Sequence, residues 1–472
     1  MKFSIFGCGP VGLVTGACMA DSNKVTLVDV NEQKIESLKQ GQLYIYEKDL
    51  EGLLKKNRNN LEFTTDSEKA VNESDVIYIA VNTPPTERGC ADTVFVNAVA
   101  ETIGHHLNGY KVIVNKSTVP VGTGSHLQGI IKGYSPLEFD IVSNPEFLRE
   151  GCAVHDYYNP DRIIIGVDRQ LKNGFLDLYR QFKGKILYTD IKSAELIKYV
   201  SNTFLALCIS YVNSLTQKYP NANVVEEAKK LKQLNPSGFF NVGLGFGGSC
   251  FPKDVLEFSY FLAQNSIESG LVKSIITVND IQQVRPLVYL KRIFGHVKNR
   301  PITLLGLSFK PGTDDIRMSP AIPITGELIK QGADITVYDP KAMDNFRQLF
   351  PDIKYAPSAE DAVKEKDAVI LVTEWPQFEG LTFSKGTMVI DGRNLYNNTR
   401  YNIGRGRKQL DFDIADQFLD IAASYASIVK DICHRANANF DDVMKGITLD
   451  MRIGNNVFQK FFGKYKRYEG LI

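Results

Sequence analysis

Long apolar runs are missing. Nowhere in the 472 residues does a stretch approach the ~20 consecutive apolar positions of a membrane-spanning helix, so no membrane role is expected. An excess of charge is missing too. Lys and Arg number 55 against 54 Asp and Glu, a formal net charge of +1, so no overall field draws the chain to nucleic acid or a lipid surface. The short basic run GRGRK at 404–408 has no basic stripe around it and reads as a solvated linker. Histidine is scarce, and the neighbours His105 and His106 bring no ligand cluster with them, so no metal site is expected. The seven cysteines form no CxxC and no ordered framework, which excludes a disulfide scaffold and fits reduced thiols in a cytosol. The opening MKFSIFGCGPVGLVTG is broken by glycine and proline and reads as folded protein, not as a secretory signal.

What is present is a chain of ordinary globular composition, 43% hydrophobic and 23% charged, long enough for about three domains. Short apolar runs at 2–7, 24–30, 75–81, 111–115 and 139–143 alternate with helical stretches such as 10–20. That alternation predicts an α/β fold with a doubly wound parallel sheet. Residues 191–216 are apolar and free of Gly and Pro, and predict one long helix joining two domains. The alternation restarts at 301–309, with a helix near 320–331 and strands at 333–340, 367–372 and 387–391. This second Rossmann-like domain lacks GxGxxG. The expected domains are 1–190, 191–297 (central, helical), 298–408 and a helical extension, 409–472.

The extension looks like a repeat. Phe204-Leu205 and Ser210-Tyr211 match Phe418-Leu419 and Ser424-Tyr425 at a constant offset, and Asn221-Ala222-Asn223 matches Asn437-Ala438-Asn439 after a slip of two residues.

Gly7-Cys8-Gly9-Pro10-Val11-Gly12 is GxGxxG, placed after a strand and opening a helix. Gly7 permits the tight turn, Gly9 lets a pyrophosphate approach the backbone, and Gly12 allows close helix–strand packing. The helix start supplies amide hydrogens and partial positive charge to phosphates. Asp29, at the end of the second strand, suits a ribose hydroxyl and repels a 2′-phosphate, so the expected cofactor is NAD. A second motif, GLGFGGSCFPKD at 243–254, puts Cys250 in a glycine-rich loop beside Lys253 and Asp254. Glycine brings backbone close to a ligand, and a neighbouring cation favours a thiolate nucleophile. The other cysteines, 8, 18, 90, 152, 208 and 433, read as packing or neutral residues.

These motifs, with VNTPP (81–85), KSTVPVGT (116–123), NPEFLREG (144–151), NPDRIIIG (159–166), ELIKYVSNTFLA (195–206), GLSFKPGTDDIRMSP (306–320), VYDP (337–340) and DGRNLY (391–396), run in an order that resembles the UDP-glucose/GDP-mannose dehydrogenase family. The resemblance covers roughly 1–408. It implies two Rossmann-like domains joined by a long helix that also forms a dimer interface, hence a homo-oligomer. It also implies a four-electron oxidation of a UDP-sugar C6 alcohol with NAD, by way of a Cys250 thiohemiacetal and thioester. Lys198 and Asn202, on one helix face at i and i+4, would stabilise the oxyanion. Asp254 and Thr118 would hold water, and Glu146 would act in general acid/base work. Substrate contacts would come from Phe147, Leu148, Glu150, Phe246, Gly247, Phe309, Lys310 and Arg393. NAD contacts would come from Thr83, Thr118, Glu150, Arg317 and Lys34.

One departure stands out. The family's Asp-x-Arg-Ile-Gly segment, whose Arg reaches a neighbouring subunit's substrate, is absent from 221–241 and reappears as Asp450-Met451-Arg452-Ile453-Gly454. The two copies are complementary, since Phe412 and Asp416 stand where the first has Lys198 and Asn202. The C-terminal copy is therefore expected to dock on the central helix, of its own subunit or a partner, and to offer Arg452 to substrate. This puts the usual dimer interface in doubt. The FLREG and DGRNLY motifs and Trp375 lean toward UDP-glucose. GDP-mannose, UDP-N-acetylglucosamine or UDP-N-acetylmannosamine, and a catalytically silent binding protein, are the alternatives.

Overall fold

The computed structural model describes residues 1–169, 171, 174–182, 185–396, 401–454 and 457–458; the rest of the 409–472 extension lies outside the described residues. The chain forms two compact units. The first contains 1–201, 257–268 and 427–451; the second contains 202–256, 269–426 and the chain from 452.

The first unit is built on β1 (Lys2–Phe6), β2 (Lys24–Val28), β3 (Leu61–Thr64), β4 (Val76–Ile79), β5 (Lys111–Asn115), β6 (Phe139–Ser143), β7 (Ile163–Gly166) and β8 (Ile186–Thr189). Their order is β3-β2-β1-β4-β5-β6-β7-β8. Every pair is parallel except β6 with β7. Along β4, Val76 and Tyr78 enter one core cluster while Ile77 and Ile79 enter another. Alternating side chains thus bury both faces, which is why such strands read as continuous apolar runs. The order reverses between β1 and β4, and ligands of open α/β sheets bind at such a switch point.

The second unit is built on β9 (Pro301–Leu305), β10 (Asp334–Tyr338), β11 (Lys354–Tyr355), β12 (Ala368–Leu371), β13 (Met388–Asp391) and β14 (Tyr401–Asn402). Their order is β11-β10-β9-β12-β13-β14, parallel throughout.

The expected long helix is Ile191–Lys218, 28 residues with neither Gly nor Pro, and buried nearly all round. A surface helix would show one polar face. The missing polar face is explained by the C-terminal helix Ile414–Ala436, which covers it from the same chain. In the second unit, Phe204 meets Phe418 and Tyr425, and Tyr211 meets Phe418. The Tyr211 hydroxyl donates to Ile414 O at 2.9 Å. In the first unit, Lys192 Nζ donates to Ala436 O at 3.2 Å and Asn439 N donates to Ser193 Oγ at 2.6 Å. The repeat therefore docks on its own subunit.

The GRGRK run is solvated at Arg407 and Lys408, as expected, but its backbone is not a free linker. Gly406 N donates to Ala222 O and Lys408 N to Asn221 O, each at 2.9 Å, while Asn223 N donates back to Lys408 O at 2.8 Å. Backbone pairing, which charge patterning cannot reveal, holds it against the turn at 221–223. Among the described residues, no helix is long and apolar enough to cross a membrane, and no cluster of His, Cys, Asp or Glu could hold a metal ion.

Candidate active site

In the first unit, Gly7 has φ +105° and an added Cβ there would lie 2.5 Å from Ala80 O. At Gly12 an added Cβ would lie 1.8 Å from Gly7 O. Both glycines are needed by the fold itself. Gly9 is not: an added Cβ would meet only Asn82 Oδ1, at 3.6 Å. The open space lies where Gly9 precedes the helix Pro10–Met19, with Pro10 in its first turn and Val11 after it. Unpaired amides at such a helix start attract phosphate. Asp29 accepts from Cys8 N and Asn31 N, both at 3.0 Å, and so holds the turn while remaining half-buried. Lys34 Nζ lies 5.3 Å over the Tyr44 ring, whose hydroxyl donates to Cys8 O. Tyr44 carries no sequence signal. The residues fit a dinucleotide.

The same unit gathers a charged cluster. Lys198 Nζ donates to Glu146 O at 2.5 Å and Glu146 Oε1 at 3.0 Å; Glu146 Oε2 accepts from Leu148 N at 2.7 Å. Burial pushes the Glu146 carboxyl up, but Lys198, the Leu148 amide and Lys116 together hold it below the usual range. Lys116, half-buried and bonded to Asn144 Oδ1 at 3.1 Å, is lowered to about 8, chiefly by loss of solvent. Phe147 has the Arg162 guanidinium 3.8 Å from its ring and Lys198 Nζ at 5.2 Å. Thr83 Oγ1 donates to Thr118 O at 2.7 Å, so these two expected residues are adjacent. Glu150 sits half-buried in the turn that follows. Glu47 anchors this turn by accepting from Gly151 N at 2.7 Å and Ala153 N at 2.8 Å. Lys116 and Arg162 fall inside KSTVPVGT and NPDRIIIG, where nothing local distinguishes them from surface cations, and no motif contains Glu47.

In the second unit, Cys250 is exposed and begins the helix Phe251–Gln264, since its carbonyl accepts from Asp254 N at 2.8 Å. Asp254, 1% exposed, accepts from Asn202 Nδ2 at 2.6 Å and Lys253 Nζ at 2.7 Å. By contrast, burial pushes the thiols of Cys18 and Cys433 up to about 12, and those of Cys8 and Cys208 higher still. These four stay neutral.

The glycine loop is pinned by its neighbours. Asn279 Oδ1 accepts from Phe246 N at 2.7 Å, and Phe246 O accepts from Asn279 Nδ2 at 3.0 Å and Gln283 Nε2 at 2.9 Å. An added Cβ at Gly247 would lie 2.3 Å from Met318 O, and one at Gly248 would lie 2.8 Å from the Phe309 ring. Lys310 Nζ lies 5.6 Å from that ring. Arg393 donates from Nε to Val372 O at 2.7 Å and from Nη1 to Gly245 O at 3.2 Å. Arg317 forks onto Asp315, its Nη2 at 2.6 Å from Oδ2, and its own carbonyl accepts from Gly248 N at 2.8 Å. Arg452 lies 5.5 Å over the Phe239 ring, which meets Phe251 at 6.1 Å. The expected residues thus fall into three groups: the glycine turn with Asp29 and Lys34, the Glu146–Lys198 cluster, and the Cys250 loop with Asn202, Asp254, Phe309, Arg393 and Arg452.

A glycine turn, an acid and an open helix start mark a dinucleotide-dependent enzyme. Comparison with known proteins makes this specific: the chain belongs to the UDP-glucose/GDP-mannose dehydrogenase family. The family's NAD binding domain matches residues 1–183, its central domain 192–281 and its UDP binding domain 303–398. The chain is 41% identical over 412 residues to UDP-glucose 6-dehydrogenase TuaD of Bacillus subtilis, covering 84% of this chain and 89% of that one. It is 40% identical over 418 residues to UDP-glucose 6-dehydrogenase of Rhizobium meliloti, covering 84% and 96%. A solved UDP-glucose dehydrogenase from Pyrobaculum islandicum superposes with TM-score 0.82 at 34% identity, over 86% of this chain and 98% of that one. The protein is an NAD-dependent dehydrogenase.

Proposed function

We propose that the enzyme oxidises the C6 alcohol of UDP-glucose to the carboxylate in two stages, consuming two NAD+ and one water per sugar. The observation that carries this reading is Cys250, exposed at a helix start whose first turn holds Asp254 on Asn202. NAD+, when bound, accepts the two electrons and the hydrogen that leave C6 at each stage. Lys198 offers its ammonium to the oxygen on C6 as that oxygen gains negative charge, and Asn202 donates a hydrogen bond to it. Cys250 adds its sulfur to the aldehyde carbon as the C=O double bond opens, its S–H proton passing to the oxygen, and so keeps the intermediate in one pose. The second oxidation leaves a thioester on the sulfur. Asp254 and Thr118 hold the water that attacks it. Glu146 takes a proton from that water and returns it to the sulfur as the C–S bond breaks, so that Cys250 departs as a thiol and the sugar leaves as a carboxylic acid that ionises. Lys198 and the Leu148 amide hold Glu146 ionised, the state in which it can take a proton.

The turn at Gly7, Gly9, Pro10, Val11 and Gly12, with Asp29, Lys34 and Thr83, would hold NAD; Glu150 and Arg317 would join them. Phe147, Leu148, Phe246, Gly247, Phe309, Lys310, Arg393 and Arg452 would hold the UDP-sugar, the cations meeting its diphosphate. Cytosolic residence fits seven free cysteines. A homo-oligomer, expected from the resemblance, would need a surface other than the helix face already covered by 414–436. Following NADH absorbance with UDP-glucose tests the reading: two NADH per sugar are expected, and Cys250→Ala should abolish acid formation. One NADH per sugar, or full acid formation by that variant, would overturn it. A panel of the alternative nucleotide sugars should show lower kcat/KM than UDP-glucose.

A further inference from the structure

The contacts between the central and C-terminal helices are reciprocal. Phe204 corresponds in the repeat to Phe418, and Tyr211 to Tyr425. Phe204 meets Tyr425 at 5.5 Å, and Tyr211 meets Phe418 at 5.3 Å. Phe204 also meets its own counterpart, Phe418, at 6.1 Å. Residue i touching j′ while j touches i′ is the signature of a two-fold, self-complementary interface. The flanking turns repeat the pattern. Asn223 caps its helix by accepting from Glu226 N at 3.2 Å, and Asn439 does so from Asp442 N at 3.1 Å. The first turn bonds to 406–408, just before the C-terminal helix, and the second bonds to Ser193, at the start of the central helix. One chain therefore holds both halves of an interface that two identical chains would ordinarily share.

The halves have diverged in what they offer. Asp450 forms an ion pair with Arg162 at 2.8 Å, both side chains fully buried. Arg162 stacks on Phe147, next to the Glu146–Lys198 pair. At the matching places the first copy has Leu234 and Pro236 instead of Asp450 and Arg452. A second chain lending only its central segment could not supply that acid.

We propose that the C-terminal repeat is a built-in second copy of the central helix, so that one chain is the complete working unit, and that Asp450 on it is a positioning residue acting through Arg162 and Phe147 on Glu146 and Lys198. The second half of this rests on the reaction roles assigned above; the first half does not.

Two experiments test it. Thr189 Oγ1 and Asp442 Oδ2 lie 2.8 Å apart, so the full-length Thr189→Cys/Asp442→Cys variant should oxidise to a disulfide within one chain, running as a single chain on a non-reducing gel. A reducible dimer band would show an exchanged arm and overturn the surrogate role, whether or not the protein is active. For positioning, Asp450→Asn should lower kcat about tenfold or more. Because that variant leaves a buried cation and can fail to fold, Arg162→Met/Asp450→Leu, which removes both charges, is the companion. Its unfolding midpoint should stay near that of the parent while kcat remains low and the acidic limb of the pH–rate profile moves. A folded double variant with parental kcat and pH profile would overturn positioning. Failure of the parent chain to oxidise any UDP-sugar would sink the function instead, and would take the positioning role with it.

Discussion

In the first sheet β1 runs into Gly7, with φ +105°; in the second β9 runs into Gly306, with φ +88°. An added Cβ would collide with Ala80 O in one case and with Thr373 Cβ, at 2.4 Å, in the other. An acid after the second strand then closes each turn: Asp29 on Cys8 N, and Asp339 on Leu307 N and Ser308 N. From there the two regions part. Gly9 and Pro10 lead straight into a helix, and Asp29 stays half-buried with an edge toward solvent. After Gly306 the next helix begins only at Ala321. Asp339 is 1% exposed and also takes the Trp375 indole N–H at 3.1 Å and the amides of Lys341 and Ala342, each at 2.8 Å. The turn with its acid is thus a folding device common to both sheets. Dinucleotide binding is added by the few residues that follow.

The largest effect should come from the acids. Asp339→Ala leaves several buried donors unpaired and should cost roughly 3–5 kcal/mol in denaturant unfolding. Asp29→Ala should cost only about 1 kcal/mol while raising the KM for NAD+ about tenfold or more. Equal stability losses would erase the distinction. Next comes pH. Burial raises the Glu195 carboxyl from 4.5 to about 8, against the pull of amide donors from Gly122 and Gly124. Between those values the folded chain keeps a proton that the unfolded chain has released. The stability it contributes is complete below 4.5 and is lost as pH climbs through about 8. Glu195→Gln should flatten that slope in unfolding curves; an unchanged slope would assign it elsewhere. Third, Gly9→Ala should leave the melting temperature unmoved and raise the NAD+ KM about tenfold, a change of about 1.4 kcal/mol. The smallest effect is expected at Ser308, which stands where the first turn has Gly9. Its hydroxyl donates to Asp339 at 3.1 Å, so Ser308→Ala should cost about 1 kcal/mol and leave the NAD+ KM alone.

Legibility followed range along the chain. β1, β2, β4, β5, β6, β9, β10, β12 and β13 were readable as apolar runs because parallel strands bury both faces. β3 was not: its residues Leu61–Thr64 are only partly covered at the sheet edge, so LEFT shows no such run. β11 and β14, at two residues each, are too short for any periodicity. Cys250, Lys198, Asn202 and Asp254 could be named from motifs. Arg162 could not be weighed, because its partner Asp450 lies far along the chain and their meeting depends on the docking of the repeat.

Local conformational rules, carried by sequence alone, were enough to determine the glycine turn, the helix that follows it, the inner strands β1, β2, β4, β5, β6, β9, β10, β12 and β13, and the Cys250 loop. Positive φ, capping and apolar alternation act over a few residues. Tertiary structure alone decided which sheet keeps an open phosphate turn, which acid is consumed by its own fold, and that the C-terminal helix lies on the central helix of its own chain. Those outcomes depend on close contacts between segments tens to hundreds of residues apart, and no local pattern encodes such distances.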